Sequence, residues 1–302
     1  MTQPILVLDS KRNVAHSMQV GPQIRLMSMS EGRRIVRFLG PNGVETAAVD
    51  DLPVAPLDDE TLELPPPYEL LMPVDPPEIW CAGVTYERSR EARVEESAVD
   101  DVYSLVYNAD RPELFLKDAG CRRTVGPGRT IGVRSDSTWD VPEPEIGLVL
   151  GTAGAITGLT IGNDVSSRSI EGANPLYLPQ AKVYAGACAL GPAVLEPEDW
   201  TAPFAIEMRI LDGDGDELFA GETSTTHMRR SFHELAEWLV RENPVPPGSV
   251  LLTGTGLVPP NDFTLEPGHI VSIRVPGIGT LRNPVASAAS LVIDRTRSEP
   301  HV

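Results

Sequence analysis

The segment VPEPEIGLVL, residues 141–150, sets two glutamates, Glu143 and Glu145, one residue apart at the entrance to an apolar run. Successive side chains of a strand point to opposite faces, so an extended backbone puts Glu143 and Glu145 on one face with Gly147 and Val149. Carboxylates beside a buried apolar face cost free energy unless something pairs with them. They are either a solvated strand end or two ligands of a hard cation. Asp164, in LTIGNDVSSR, is the next acid behind an apolar strand. It would add a third oxygen donor of the kind that suits Mg²⁺, Mn²⁺ or Ca²⁺. No histidine lies nearby, which speaks against a zinc-type site. Downstream, Lys182 in LPQAKVYAG is flanked by Ala and Val rather than by acids. A lysine in such surroundings loses its charge more readily or pairs with an anion, and both suit a catalytic site. Spacing alone does not decide: an E-x-E also fits a solvated sheet face, an N-D pair a turn, and a lone lysine the surface.

The elements that must carry these residues are mostly strands. Residues 1–62 read as a small β-rich N-terminal domain, in which QIRLMSM and RRIVRFLG alternate apolar with polar and GPNGVE supplies a turn. Residues 63–77 form a proline-rich linker containing LPPPYELLMPVDPP, which excludes a helix interior or a central strand. Residues 78–302 are the expected catalytic domain. There GLTIGNDVSSR, PFAIEMRILDGDGDELFAG, SVLLTGTG and HIVSIRVPGIGTL read as strands or strand–turn units. Two helical patterns stand out. One spans about 86–106, with Val94, Ala98, Val102 and Val106 on a narrow stripe, and is expected to act as a lid. The other, MRRSFHELAEWLVREN, places Phe232, Leu235, Ala236 and Leu239 on one face.

The chain has 302 residues, enough for one large domain or two unequal ones. Its net charge of −18, from 43 acids and 25 bases, leaves no basic stripe for a nucleic acid or an anionic membrane. An anionic substrate would need a local positive centre, such as a metal ion or converging Lys and Arg. No apolar run approaches the roughly 18 residues of a membrane helix, and MTQPILVLDSKRN shows no secretory pattern. Three widely spaced cysteines, Cys81, Cys121 and Cys188, argue against a disulfide framework and for a cytoplasmic location.

The motifs WCAGVTYERSREA, LFLKD, VGPG, VPEPEIGLVLG, IGNDVSSRSIE, GACALGP, PPGSVLLTGTG and PGIGTLRNPV occur in the order typical of the fumarylacetoacetate hydrolase family, over about residues 78–285. The resemblance implies an α+β, β-rich fold, a mixed-sheet β-roll, assembled as a homodimer or homotetramer. It implies Mg²⁺, with Mn²⁺ as the alternative, held by Glu143, Glu145 and Asp164. It further implies that Lys182 contacts a small 2-oxo acid substrate and that Thr255, in TGTG, binds an acid group.

Hydrolases of this family carry a His-x-x-Glu dyad to activate water, and Ser89 and Ala92 stand at those positions here. Glu91 is no simple replacement, because two residues along a helix turn a side chain by about 200°. A second departure is Glu113, in RPELFLK, where the family commonly has an apolar residue. It is a candidate acid or base; equally, it reads as a strand-edge carboxylate paired with Arg111. The whole set looks most like the branch of 2-keto-3-deoxypentonate dehydratases, whose reaction yields 2,5-dioxopentanoate. On that reading Glu113 and Lys182 carry the acid–base work, and Ser89 and Arg90 bind sugar hydroxyls. Ser89 and Arg90 could instead belong to a solvated helix laced by Glu87, Arg88 and Glu91. A hydrolase of acylpyruvates or diketo sugar acids, using Glu91 or Glu113, is the alternative enzyme. A non-catalytic 2-oxo-acid binding module is the alternative outside catalysis.

Overall fold

The computed structural model describes residues 32–87 and 105–292. Most of the chain between these limits is strand. A ten-stranded sheet forms the body. Its path runs from Gly43–Ala48 through Gly32–Gly40, Cys188–Pro197, Ile156–Asp164, Pro144–Leu150, Val250–Leu252 and Glu78–Gly83 to the edge strand Glu113–Ala119. A second, five-stranded sheet orders Glu217–Ser224, Ala205–Leu211, Ile270–Val275, Gly279–Ser287 and Ile131–Val133. Both sheets are mixed. Val250–Leu252 runs parallel to Glu78–Gly83, and Ile131–Val133 parallel to Gly279–Ser287, among otherwise mostly antiparallel neighbours.

The core lies between the sheets. Ile146, Leu148 and Leu159 from one meet Ile206, Met208 and Ile273 from the other, all buried. Full burial of such a side chain contributes about 1.5–3 kcal/mol. That gain sustains a sheet whose middle strands also carry charge. Pro144–Leu150 is buried at every position, as a strand covered on both faces must be.

The hairpins read from the sequence are present. RRIVRFLG and GVETAA pair across a tight turn, and Ala205–Leu211 pairs with Glu217–Ser224. Gly32–Gly40 also pairs with Cys188–Pro197, and Glu69–Leu70, within the proline-rich stretch, pairs with Gly32–Gly40. Residues on both sides of that stretch therefore share one sheet. The helix Phe232–Val240 buries Leu235, Ala236 and Leu239, with Phe232 packed against the core. Ser231 caps it, its hydroxyl accepting from the Glu234 N–H at 3.1 Å. Of the expected helix over 86–106, a helical turn at 105–108 is present; residues 88–104 lie outside the described residues. Two short helices escaped the periodicity argument, Arg168–Ala173 and Leu178–Lys182. Among the described residues no helix is long and apolar enough to cross a membrane. All three cysteines are free.

Candidate active site

Glu143, Glu145 and Asp164 converge. One carboxylate oxygen from each lies within 4.8 Å of the others, and all three residues are buried. Strand geometry brings this about. Glu143 stands at the entrance to Pro144–Leu150 and Glu145 one pleat further on, while the antiparallel neighbour Ile156–Asp164 ends beside them. The Asp164 N–H donates to the Glu143 carbonyl at 2.9 Å, and the Asn163 side chain accepts from the Glu143 N–H at 3.1 Å.

Three cations surround the trio. Lys182 donates to Glu143 Oε2 at 2.6 Å, to Asp164 Oδ2 at 2.9 Å and to the Ser166 hydroxyl. The Lys182 ammonium also lies 5.8 Å from the centre of the Phe115 ring. Of the two readings open to Lys182, pairing with anions is the one observed. Lys117 pairs with Asp164 and donates to the Val165 carbonyl at 3.0 Å. The Arg168 guanidinium meets Glu143 Oε1 at 2.7 Å. Residue spacing does not single out Lys117, Arg168 or Glu171. Lys117 had a usable signal, since it continues the 113, 115, 117 alternation of its strand. Arg168 and Glu171 are brought in by a six-residue helix that starts at Ser167, whose hydroxyl accepts from the Ile170 N–H at 3.3 Å.

Glu145 is different. Among the described residues it forms no ion pair and accepts a hydrogen bond from the Gly254 N–H at 2.7 Å. Burial first, then the charges of Asp164 and Glu143, push its carboxyl well above the ordinary carboxylate range. Gly254 can approach so closely because it takes φ +89°; a Cβ there would meet the Ala82 carbonyl at 2.9 Å and the Thr85 hydroxyl. Thr255, next in the chain, is buried and bonds the Leu257 carbonyl through its hydroxyl at 3.0 Å.

These groups line one small cavity of about 20 Å³, the space of a single ion or water. Glu113, Lys182, Thr255, Arg168 and Glu171 face it together with the acid trio. Glu113 opens the edge strand Glu113–Ala119, opposite Gly83. A Cβ at Gly83 would lie 2.1 Å from Glu113 Oε2, so the glycine makes room for that carboxyl. Arg111, the other partner considered for Glu113, places its guanidinium over the Trp238 ring at 4.5 Å. Ser89 and Arg90, with Glu91 and Ala92, lie outside the described residues.

A hard divalent cation fits this donor set. Three buried carboxylates converge, and among the described residues Glu145 has no ion-pair partner and no nitrogen or sulfur ligand joins the group. Glu143, Glu145 and Asp164 would hold the ion.

Residues 78–286 match the family model for the fumarylacetoacetate (FAA) hydrolase C-terminal region. The chain belongs to the fumarylacetoacetate hydrolase family. Within the family it is 55% identical over 217 residues to a probable 2-keto-3-deoxyxylonate dehydratase of Haloferax volcanii, covering 72% of this chain and 74% of that one. It is 44% identical over 218 residues to the 2-dehydro-3-deoxy-D-arabinonate dehydratase of Saccharolobus solfataricus, covering 70% and 73%. A solved structure of 2-keto-3-deoxy-D-arabinonate dehydratase complexed with magnesium and 2,5-dioxopentanoate superposes with a TM-score of 0.74 at 35% identity, over 84% of this chain and 99% of that one. The β-rich, mixed-sheet α+β architecture is the one this fumarylacetoacetate hydrolase relative has.

Proposed function

We propose that this protein is a hydro-lyase that dehydrates a 2-keto-3-deoxypentonate to 2,5-dioxopentanoate, with Mg²⁺ or Mn²⁺ at Glu143, Glu145 and Asp164. The observation that carries this reading is the placement of Glu113 in one cavity with the acid trio and Lys182. The names of the dehydratase relatives support the same reaction class. When bound, the ion supplies positive charge beside the carboxylate and 2-oxo oxygens of the substrate, which makes the adjacent C3 proton more acidic.

Glu113 then removes the C3 proton. Lys182, held as an ammonium by Glu143 and Asp164, donates to the departing C4 hydroxyl, and one water leaves. The elimination leaves a C3=C4 double bond; moving a proton from C5 to C3 gives the C4=C5 enol, and passage of the 5-hydroxyl proton to C4 completes the aldehyde. Thr255 and Arg168 bind the substrate's carboxylate end, and Ser89 and Arg90 its hydroxyls. Hydrolysis would need a water deprotonated at a carbonyl, and Ser89 and Ala92 offer no group basic enough at the dyad positions. The working form is a cytoplasmic homodimer or homotetramer, whose mass light scattering would give.

The deciding experiment incubates the purified protein and Mg²⁺ with 2-keto-3-deoxypentonates and, separately, with acylpyruvates. A product lighter than its substrate by one water, with the carbon chain intact, is expected. Two carbon fragments would instead assign the hydrolase reaction, and binding of a 2-oxo acid without any turnover would leave a binding module.

A further inference from the structure

Glu113 begins an edge strand, so its position depends on the chain that delivers it. That chain is residues 105–112. A helical turn at 105–108 ends there, and the last carbonyls of a helix have no partner within it. Two adjacent arginines from a distant part of the sequence supply the donors. Arg229 donates to the carbonyls of Tyr107 and Asn108 and, at 3.1 Å, to the Asn108 side-chain oxygen. Arg230 donates to the carbonyls of Ala109 and, at 3.0 Å, Asp110. Four consecutive carbonyls are thus held by two consecutive guanidinium groups.

The clamp is itself anchored. Arg230 is only 7% exposed and pairs with Glu234 one helical turn on. The Arg229 N–H donates to the Thr85 carbonyl at 2.9 Å, and Met228 bridges to Tyr86, so Met228 and Arg229 also grip the end of the chain that leaves Gly83. The delivered chain adds its own hold through Arg111, stacked on Trp238 of the helix Phe232–Val240. Gly83 and the 107–110 stem therefore fix Glu113 from two sides, and both are tied to Met228–Arg230.

We propose that Arg230, assisted by Arg229, is a positioning residue for Glu113: it sets the carboxyl of the base without touching substrate. The proposal rests on the reading of Glu113 as that base. Misplacing a reacting group by about 1 Å can cost on the order of a hundred-fold in rate, and loss of one clamp should give about ten-fold or more.

The test is a double-mutant cycle on the full-length protein with Mg²⁺, measuring kcat and KM for R230A, E113Q and the double variant. R230A should lower kcat about ten-fold with KM and Mg²⁺ affinity nearly unchanged, and R230K, which cannot span two carbonyls and Glu234 together, should restore only part. In the E113Q background R230A should change kcat less than about two-fold, because nothing is left to position. Equal losses in both backgrounds, or no loss with Glu113 present, would overturn the proposal. Undiminished turnover by E113Q alone would instead overturn the role of Glu113. Should R230A fail to fold, R230K and R229A run through the same cycle, and additivity there would overturn it as well.

Discussion

Central strands and an edge strand bring carboxylates to the cavity, and they are held in opposite ways. Pro144–Leu150 lies inside the ten-stranded sheet with Ile156–Asp164 on one side and Val250–Leu252 on the other, and each of its residues is buried. Glu113–Ala119 is the last strand of that sheet, bonded on one side to Glu78–Gly83, and Leu116 on it is 41% exposed. Backbone pairing on both sides fixes the strands that deliver the acid trio within a ladder that cannot shift by one residue without turning its apolar face outward. Glu113 has half that support and draws the rest from the arginine clamp, the stacked Arg111 and the space above Gly83. On the proposed mechanism, the central strands set where the ion sits, and the edge sets where the proton goes.

The largest effects should come from the central pair. Glu143 accepts from Lys182 and pairs with Arg168, so Glu143→Gln removes a proposed metal ligand and a counter-charge for two cations while keeping the side-chain shape. Turnover should fall by about a thousand-fold or more, as should that of protein stripped by a chelator, because a hard-cation site with few protein ligands has none to spare. Circular dichroism should show the sheet intact. Full activity in Glu143→Gln, or in metal-free protein, would separate the trio from catalysis.

The edge carboxylate comes next. Glu113→Gln should depress kcat by about a hundred- to a thousand-fold with KM changed little, the pattern of a group that acts mainly in the transition state. A rise in KM at constant kcat would make Glu113 a binding group. Gly83→Ala sharpens the contrast without altering any charge. Its methyl would start 2.1 Å from Glu113 Oε2, so the carboxyl must move. A loss of about ten-fold in kcat is expected, with metal affinity by calorimetry unchanged. Equal loss of metal affinity would mean that edge and centre are not independent.

How much of this the sequence displayed follows from the same contrast. The trio was legible because strand periodicity puts Glu143 and Glu145 on one face and because the ordered motifs carry Asp164 with them. The strands and the long helix Phe232–Val240 were legible for the same reason: each is long enough to show its period. Arg168–Ala173 and Leu178–Lys182 are too short to show one, and Pro175 and Pro179 interrupt the reading around them. So the helix that carries Arg168 and Glu171 went unseen. Lys117 was missed although Glu113, Phe115 and Lys117 alternate along one strand. The clamp on residues 107–110 was beyond sequence reading, because nothing local to Asn108 or Ala109 announces that Arg229 and Arg230 fold onto them.

The smallest effect concerns a buried acid that the cavity does not use, on the short strand Asp140–Val141, which pairs with Ser166–Ser167 outside the ten-stranded sheet. Asp140 lies three residues before Glu143, is only 3% exposed, and its Oδ1 has no hydrogen-bond partner among the described residues. Burial pushes its pKa up to about 6 from 3.8, against smaller opposing contributions from the Ser137 hydroxyl and the Arg134 backbone. Because the folded value is the higher one, the native state binds this proton more tightly than the unfolded chain. Stability from this group is therefore present at low pH and is lost as pH rises from about 4 through 6, the reverse of a salt-bridged carboxylate. The shift corresponds to about 3 kcal/mol at pH 8. Asp140→Asn keeps the shape and removes the charge. Urea unfolding should then show a variant more stable than the parent by about 2–3 kcal/mol more at pH 8 than at pH 4, with kcat at pH 8 unchanged. A difference independent of pH would mean that Asp140 is ionised without cost in the folded protein. A fall in kcat would instead draw Asp140 into the site, and the buried acids of residues 140–145 would no longer divide into two proposed to serve the ion and one that does not.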